Sequence, residues 1–523
     1  KARIAAYKIC WSLGCFDSDI LAAMDSAVSD GVDVISLSLS YGGTPLHENT
    51  LAIAAFAAME KGIFVSTSAG NYGALYKSIS RGIPWALTVG ASTVDRRFAG
   101  TVVLGDGTTV DGGSLYIGEP LSTKQLRLAL LDDCQNDTLL GRNKKNIVVC
   151  LGLADASYLT DLEIAVRDAR LPGAIFISHS YYLEDFAKFT FPATLVPTGG
   201  DGQRILDYIN KTSNPTASLQ FRRTVLGKKP APAVAQYSSR GPSLSCPDVL
   251  KPDIVAPGSL ILAASDPYSF VLGEDNYSPF KILHGTSMAC PHAAAVAAML
   301  KVLHPDWSPA AVRSAMMTTA SPLDNTGSPI SDPVSNGAAS PLAMGSGHLD
   351  PNRALDPGLV YDAGVDDYVG FLCAMNYTEQ QIRTIVRSKN VTKRGSCSGA
   401  SPLPDLNYPS FIAYFDPDEG SSGATANGTV REFHRTVTNV ADGAWAYTAR
   451  VTELDGFKIS VNPHRLVFEG KGEKRSFTVR IVGHRKLNDY DVVHGALSWV
   501  DGEGKHVVRS PVVATTHNLP DTD

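Results

Sequence analysis

The residues best suited to chemistry lie where a tight loop enters an apolar helix. Ser287 follows Gly285-Thr286, and residues 293–300 are almost all small or apolar, which predicts a buried helix. The positive end of a helix dipole beside a serine hydroxyl suits a nucleophile that attacks a carbonyl and passes through an oxyanion. Serine before a helix is more often an N-cap, so the local pattern leaves both roles open. We expect Pro291 in the first helical turn, where its missing N–H does no harm.

Two helix–strand units must position this serine. Two segments have apolar residues at helical spacing, and they end at Gly31 and Gly62. A strand rich in β-branched residues is predicted after each of them, at 32–39 and 63–68. The apolar helix residues are Ile20, Met24, Ala27 and Val28 in the first segment, and Leu51, Ala54, Ala55, Ala58 and Met59 in the second. This alternation predicts an α/β fold with a parallel sheet flanked by helices. Sites in such sheets lie at the carboxyl ends of the strands, where Ser38-Leu39-Ser40 and Ser68-Ala69-Gly70-Asn71 fall.

The octapeptide at 285–292, Gly-Thr-Ser-Met-Ala-Cys-Pro-His, resembles the nucleophile motif of the subtilisin-like serine proteases, and of the plant subtilases in particular. Further stretches are similar to that family and occur in the family's order: Cys10-Trp11, 30–39, 68–71, 238–242, 251–258 and Trp307-Ser308-Pro309. The resemblance runs nearly end to end. It implies a subtilisin-like fold and a serine endopeptidase that cleaves protein or peptide substrates through an acyl-enzyme.

The resemblance also assigns roles to single residues. It makes Ser287 the nucleophile and Asn71 the oxyanion-hole donor, although an asparagine after glycine is otherwise a common turn residue. It implies that Ser38, Leu39 and Ser40 form the edge strand that pairs with the substrate backbone, while Ser68, Ala69 and Gly70 line the opposite wall. The alternative for both segments is an ordinary buried strand end. The family usually has glycine where Ser40 stands, so a narrower adjacent pocket is expected.

Two polar residues near these motifs are expected to be structural. His292 lies five residues after Ser287 on the helix and should point away from it. Arg240, between Ser239 and Gly241, is expected to fix its loop through an ion pair.

The mechanism of the family needs an aspartate and a histidine as well as the serine. The chain contains no Asp-Thr-Gly or Asp-Ser-Gly, and its one His-Gly-Thr, at 284–286, belongs to the serine segment. In the family these motifs precede the Cys10-Trp11 region, so we expect a truncated product rather than a protease-dead relative. We therefore expect this chain to be nearly inactive by itself. The alternative is a non-catalytic, peptide-binding relative of the subtilases.

The predicted secondary-structure pattern of the chain changes at two places. Residues 1–100 and 229–365 are expected to form the two parts of the catalytic domain, separated by an inserted, mainly β segment at 101–228 that resembles the protease-associated domain. Turn signals in that segment are Gly105-Asp106-Gly107 and Asp111-Gly112-Gly113. Alternating strands with turn residues at 405–523 predict a small β-sandwich, and this part resembles a fibronectin-III-like domain.

The composition excludes some classes of binding partner and indicates the cellular compartment. A net charge of −6 argues against a nucleic-acid partner, and no apolar run approaches the roughly 20 residues of a membrane span. We expect no metal and no cofactor, because carboxylates are scattered and no Cys-x-x-Cys occurs. Eight cysteines include three close pairs, and together with six Asn-x-Ser/Thr triplets they favour passage through the secretory route; the pairs are Cys10 with Cys15, Cys134 with Cys150, and Cys373 with Cys397. The resemblance to the plant subtilases implies an extracellular location in the apoplast or cell wall. Cys290 is expected to be a small buried hydrophobe.

Overall fold

The computed structural model describes residues 2–39, 43–79, 82–121, 125–153, 156–178, 189–265, 279–387, 397, 404–416 and 429–519. It divides into two compact units. One unit is Val94–Pro230, and the other combines Lys1–Thr93 with Ala231–Asp523.

The larger unit contains the predicted parallel sheet. Its first part comprises β1 (Cys10–Trp11), β2 (Gly14–Cys15), α1 (Asp17–Ser29), β3 (Val34–Leu37), α2 (Thr50–Glu60), β4 (Phe64–Ser68) and β5 (Leu87–Ser92). The predicted apolar faces are inside, since Ile20, Met24 and Ala27 of α1 are buried, as are the five predicted residues of α2. Both helices are followed by a glycine with positive φ, Gly31 or Gly62, which lets the chain turn back into a strand.

The smaller unit is a closed barrel with strand order β10-β11-β7-β6-β12-β8-β9. Its elements are β6 (Arg96–Leu104), β7 (Thr109–Gly113), β8 (Leu126–Leu131), α3 (Asp137–Arg142), β9 (Ile147–Leu153), α4 (Ala156–Asp168), β10 (Gly173–Ser178), β11 (Ala193–Pro197), a π-helical turn (Thr198–Gly202), α5 (Gln203–Lys211) and β12 (Thr216–Leu226). The turn predicted at residues 105–107 is present between β6 and β7.

The second turn predicted in that segment, Asp111-Gly112-Gly113, is wrong. These residues form the end of β7, and Thr101 of β6 pairs with Asp111. The glycine has a packing reason, because a Cβ on Gly112 would lie 2.3 Å from Thr194 Oγ1 and 2.6 Å from the Leu195 carbonyl oxygen. Glycine in a strand can mark a close approach of neighbouring chain rather than a reversal.

The chain then returns to the larger unit. It forms β13 (Ile254–Pro257), β14 (Ile261–Ala264), β15 (Phe280–Leu283), α6 (Thr286–Leu303), α7 (Pro309–Thr319), β16 (Ser331–Asp332), β17 (Gly337–Ala338), α8 (Pro341–Met344), α9 (Pro351–Ala354), β18 (Leu359–Tyr361), α10 (Val365–Ala374) and α11 (Glu379–Ile385). Strands β13, β5, β4 and β3 form one sheet in that order, and every pair in it is parallel. The parallel sheet with helices against it confirms the predicted α/β fold.

Helix α6 packs on all four strands of this sheet. Within the described residues it is the one helix that is long and apolar enough to cross a membrane by length and composition. Its buried side includes Ala289, Ala293 and Ala297, whose small side chains let the helix lie close to the strands. Its apolar character therefore fits the position of a core helix.

The C-terminal part is the predicted β-sandwich. Its strands are β19 (Phe411–Tyr414), β20 (Thr429–Asn439), β21 (Trp445–Val451), β22 (Phe457–Asn462), β23 (Arg465–Phe468), β24 (Lys474–Gly483), β25 (Val493–Asp501) and β26 (Val507–Thr515). The two sheets have the orders β18-β20-β24-β22 and β19-β26-β25-β21-β23. The first sheet therefore includes β18, a strand that precedes the sandwich in the chain by about 50 residues.

A fully buried polar network joins the sandwich segment to the parallel sheet. Lys251 Nζ donates to Asp253 Oδ2 at 2.7 Å, to the Tyr408 hydroxyl at 2.9 Å and to the Ala86 carbonyl oxygen at 3.0 Å. The Tyr408 hydroxyl in turn donates to Asp253 Oδ1 at 2.6 Å. All three donor positions of the ammonium are therefore used, as a buried charge requires.

The three predicted cysteine pairs are confirmed as disulfides: Cys10–Cys15, Cys134–Cys150 and Cys373–Cys397. Cys290 and Cys246 are free and buried, and burial raises the pKa of both thiols. Cys290 is thus the small buried residue that we expected.

Candidate active site

The first turn of α6 meets the carboxyl end of β4 through one asparagine. Asn71 Oδ1 accepts hydrogen bonds from the amide nitrogen and the hydroxyl of Thr286, both at 2.9 Å. An amide N–H can only donate, so the atom that faces Thr286 must be the carbonyl oxygen of the side chain. The Asn71 Nδ2 amide consequently faces away from Thr286 and lies on the side of Gly285.

Gly285 leaves room for the Asn71 side-chain amide because it has no side chain. It has a φ of 140°, and a Cβ at this position would lie 3.2 Å from Asn71 Nδ2. Its amide nitrogen donates to the Gly258 carbonyl oxygen at 3.0 Å and reaches the Tyr237 hydroxyl at 3.1 Å. The loop before α6 is thereby tied to the end of β13 as well as to the end of β4.

Ser287 is the second residue of α6 and is half-buried. Its hydroxyl donates to the Ser38 carbonyl oxygen at 3.4 Å, and the Ser38 hydroxyl donates to the Ser287 carbonyl oxygen at 2.8 Å. The N-cap of α6 is Gly285, which makes no side-chain cap. The capping role left open by the sequence is therefore wrong, because Ser287 lies inside the helix and its hydroxyl points to another strand end.

Pro291 lies deeper in the helix than expected. Helix α6 begins at Thr286, so Pro291 is its sixth residue rather than part of the first turn. At that position a residue with an N–H would donate to the carbonyl of the residue four places earlier. The missing N–H is therefore not harmless, since the affected carbonyl is that of Ser287.

The remaining predicted wall residues lie at the same edge of the sheet. Gly70 is buried, has a φ of 110°, and donates its amide hydrogen to Thr286 Oγ1 at 3.2 Å. Ser68 and Ala69 are buried at the end of β4, and Leu39 packs on the core. Ser40 lies outside the described residues. The structure thus brings together Ser287, Asn71, Ser38 and Gly70, whereas Leu39, Ser68 and Ala69 adjoin this group along the chain.

His292 and Arg240 behave as structural residues. The His292 Nδ1 atom lies 2.7 Å from the Met288 carbonyl oxygen of its own helix. Arg240 is buried and pairs with Asp332 at 3.1 Å, which confirms the predicted ion pair. In the part of the chain that the structure describes, no three His, Cys, Asp or Glu side chains form a metal-binding group.

The sequence reasoning missed Thr286. Its side chain holds Asn71 from one side and accepts from Gly70 on the other, although it is itself nearly inaccessible at 1% exposure. Its place next to Ser287 in the first helical turn is the signal that could have found it, because donors at a helix start seek acceptors outside the helix.

Comparison with known proteins shows the family of the chain. The subtilase family model matches residues 1–347, and a fibronectin type-III domain model matches residues 405–514. "Subtilisin-like protease SBT3" of Solanum lycopersicum is 46% identical over 528 residues, which cover 98% of this chain and 67% of that protein. Two Arabidopsis thaliana relatives, "Subtilisin-like protease SBT1.6" and "Subtilisin-like protease SBT1.5", are 40% and 41% identical and are each covered to 68%. The chain belongs to the subtilase family.

Proposed function

We propose that this chain provides the nucleophile and the oxyanion donor of a serine endopeptidase that cleaves proteins or peptides. Ser287 is the nucleophile and Asn71 the oxyanion donor in this proposal. The observation that carries it is the fixed orientation of Asn71. The amide N–H and the hydroxyl of Thr286 both donate to the Asn71 side-chain oxygen, so the Asn71 amide nitrogen lies on the side of Gly285, two residues before Ser287.

The chemistry follows from this arrangement. The Ser287 oxygen forms a bond to the substrate carbonyl carbon while the hydroxyl proton passes to a general base, a role that added imidazole can fill. The π electrons of that carbonyl move to its oxygen. The Asn71 amide donates to the developing negative charge, an interaction that is stronger in the transition state than in the bound substrate. Collapse of the tetrahedral species breaks the C–N bond, and the protonated base gives the proton that it took from Ser287 to the leaving amine. Water then hydrolyses the acyl group from Ser287.

The substrate would lie along the strand ends. An extended peptide can form main-chain hydrogen bonds with an exposed strand edge, and β3 is the edge strand of the parallel sheet. Ser38, Leu39 and Ser40 follow β3 and would pair with the peptide on one side. Ser68, Ala69 and Gly70 would form the opposite wall.

We further propose that the 523-residue chain turns over slowly by itself. It contains no Asp-Thr-Gly or Asp-Ser-Gly, and the described hydrogen bond of the Ser287 hydroxyl goes to a carbonyl rather than to a base. In subtilisin itself, removing the histidine of the triad costs on the order of 10⁶ in turnover. The same loss is expected here.

Labelling with a small alkyl fluorophosphonate tests the nucleophile directly. The Ser287 oxygen forms a bond to phosphorus, fluoride leaves, and an added imidazole buffer takes the proton. We expect slow labelling at Ser287 alone, located by peptide mass spectrometry, that accelerates with imidazole concentration. Ser287→Ala should abolish it.

Two results would contradict parts of this proposal. Brisk casein hydrolysis without imidazole would show that the chain has an effective base of its own. Absence of labelling at any imidazole concentration, together with saturable binding of extended peptides, would favour the non-catalytic peptide-binding alternative.

The domain assignment and the extracellular location are also proposals. The barrel unit at Val94–Pro230 is proposed to be a protease-associated domain. Secretion is supported by three disulfides and by exposed asparagines in the Asn-x-Ser/Thr triplets at Asn136, Asn210 and Asn376. The other triplets, at Asn276, Asn390 and Asn427, lie outside the described residues. Chain expressed through a secretory pathway should lose mass on treatment with an N-glycosidase; an unchanged mass would contradict glycosylation.

A further inference from the structure

The nucleophile segment carries a gap in the backbone hydrogen bonding of its own helix. In an α-helix the carbonyl of each residue accepts from the N–H four residues later. For Ser287 the residue four places later is Pro291, which has no N–H. The carbonyl of the nucleophilic residue therefore lacks its regular helical donor.

A side chain from the sheet supplies a donor at this point. The Ser38 hydroxyl donates to the Ser287 carbonyl oxygen at 2.8 Å, across a separation of 249 residues in sequence. Ser38 is the residue after β3 ends, so its position is set by a strand that pairs in parallel with β4. Both partners are half-buried, which limits competition from water.

A second contact involves the same two residues. The Ser287 hydroxyl rests on the Ser38 carbonyl oxygen at 3.4 Å, a long and therefore weak hydrogen bond. Ser38 thus contacts the backbone of Ser287 through its side chain and the hydroxyl of Ser287 through its backbone. The strong contact holds the backbone, while the weak one is easily given up when the hydroxyl turns to attack.

We propose that Ser38 is a positioning residue for the reaction, whose hydroxyl replaces the N–H that Pro291 cannot provide. This inference rests on the proposed role of Ser287. Ser38 would then have two roles. One is the proposed contact with the substrate backbone, and the other acts through Ser287 and does not depend on a bound peptide. Its importance follows from the geometric demands of attack, where small displacements of a reacting atom cost large factors in rate.

A double-mutant cycle between Ser38 and Pro291 tests the proposal. The readout is the imidazole-assisted labelling rate with a small alkyl fluorophosphonate, which does not extend along the strand. Ser38→Ala should slow labelling by about five- to tenfold, the loss of one hydrogen bond to a partly buried carbonyl. Pro291→Ala alone should leave the rate within about twofold, because the Ser38 hydroxyl still holds the carbonyl.

The combined Ser38→Ala/Pro291→Ala variant gives the decisive result. An alanine at 291 restores the N–H, so the double variant should recover to within about twofold of the unsubstituted chain. Ser38→Thr keeps the hydroxyl and should label at nearly the original rate. If Ser38 had only a structural role, adding Pro291→Ala to Ser38→Ala would not be expected to restore the labelling rate, and the effect of Ser38→Ala would not be limited to that rate.

Ser66 provides a matched control on the neighbouring strand. Its hydroxyl donates to the Cys290 carbonyl oxygen of the same helix at 3.1 Å, but the residue four places after Cys290 is Ala294, which has an N–H. Ser66→Ala should therefore change the labelling rate by less than twofold, with or without Pro291→Ala. Comparing Ser38→Ala with Ser66→Ala, each with and without Pro291→Ala, separates a general stabilising effect of removing proline from the specific return of an N–H donor to the Ser287 carbonyl.

The outcomes are distinguishable from a failure of the proposed function. If the unsubstituted chain is never labelled at Ser287, the nucleophile assignment falls. If it is labelled but Ser38→Ala has the same rate, or if the double variant is as slow as Ser38→Ala, the positioning role is wrong. Near-ultraviolet circular dichroism and the urea midpoint of each variant identify any that fail to fold. If Ser38→Ala fails to fold, the labelling rate of Ser38→Thr, which keeps a hydroxyl, is compared with that of Ser38→Val, which lacks one.

Discussion

At the scale of single residues, the site depends on which end of an amide faces the helix. The Asn71 side chain could present either its oxygen or its nitrogen to a substrate. The N–H of Thr286 decides between them, because a donor must meet the oxygen. The sequence could predict Asn71 as a candidate, but the residue that orients it became visible only through contacts across 215 positions.

Replacing Asn71 tests the oxyanion role. Asn71→Ala should lower the imidazole-assisted rate of Ser287 acylation by a peptide ester by about 10²–10³-fold, a range established on subtilisin for one oxyanion donor. The Michaelis constant should change little, since the lost interaction belongs to the transition state. Asn352→Ala, at an exposed asparagine of α9, is the control. An effect confined to the Michaelis constant would contradict the assignment.

Thr286 should act through Asn71. Thr286→Val keeps the shape but removes the hydroxyl that donates to Asn71 Oδ1 and accepts from Gly70, so acylation should slow by about three- to tenfold. Thr286→Ser retains both hydrogen bonds and should act like the original chain in the same rate measurement. If Thr286→Val already has the full effect of Asn71→Ala, the hydroxyl contributes more than orientation.

At the scale of elements, local patterns predicted most helices and strands. The strands expected at 32–39 and 63–68 are present as Val34–Leu37 and Phe64–Ser68, shorter because only paired residues count as strand. The mainly β character expected of residues 101–228 and 405–523 is also present, in strands such as Ile147–Leu153 and Trp445–Val451. The errors at Gly112 and Pro291 have different causes. Glycine often marks a turn, but Gly112 lies within a strand because Thr194 and Leu195 approach it closely. Pro291 was expected in the first helical turn, but the helix begins earlier, at Thr286.

Two serine–proline helix starts allow a test of capping with an internal control. Ser308 precedes Pro309 at the start of α7, and its hydroxyl accepts from the Ala311 amide nitrogen at 3.0 Å. Ser340 precedes Pro341 at the start of α8 but makes no side-chain cap. Ser308→Ala removes this cap and the hydrogen bond that the hydroxyl donates to Asp362 Oδ1, so it should lower the free energy of unfolding by about 1–2 kcal/mol in urea denaturation, whereas Ser340→Ala should have little effect. Equal losses would argue against the cap as the cause.

At the scale of the whole molecule, the sequence predicted the components but not their connections. Membership of the subtilase family was expected from its motifs, and the sandwich was expected from alternating strands with turn residues at 405–523. The domain boundaries stay a prediction. The network of Lys251, Asp253 and Tyr408 had no sequence signal, since Tyr408 lies 155 residues from its carboxylate partner and tyrosine is an ordinary core residue.

Removing one hydroxyl from this network should destabilise the larger unit. Tyr408→Phe deprives Asp253 of a donor and Lys251 of an acceptor in a fully buried place, so unfolding should become easier by about 1–3 kcal/mol. Tyr490→Phe, at a tyrosine that is 71% exposed, should shift the urea midpoint very little. Similar shifts for both variants would show that the network contributes no more than a surface hydroxyl.

Strand β18 has a practical consequence for anyone who wishes to isolate the C-terminal sandwich. The matched fibronectin type-III region starts at residue 405, yet Leu359–Tyr361 pairs with β20 along Val437–Asn439. A fragment cut at 405 would leave that side of β20 without its neighbour, and a bare β-edge invites self-association. A fragment intended to stay monodisperse must therefore begin upstream of Leu359, and it will then carry α10 and α11 with it.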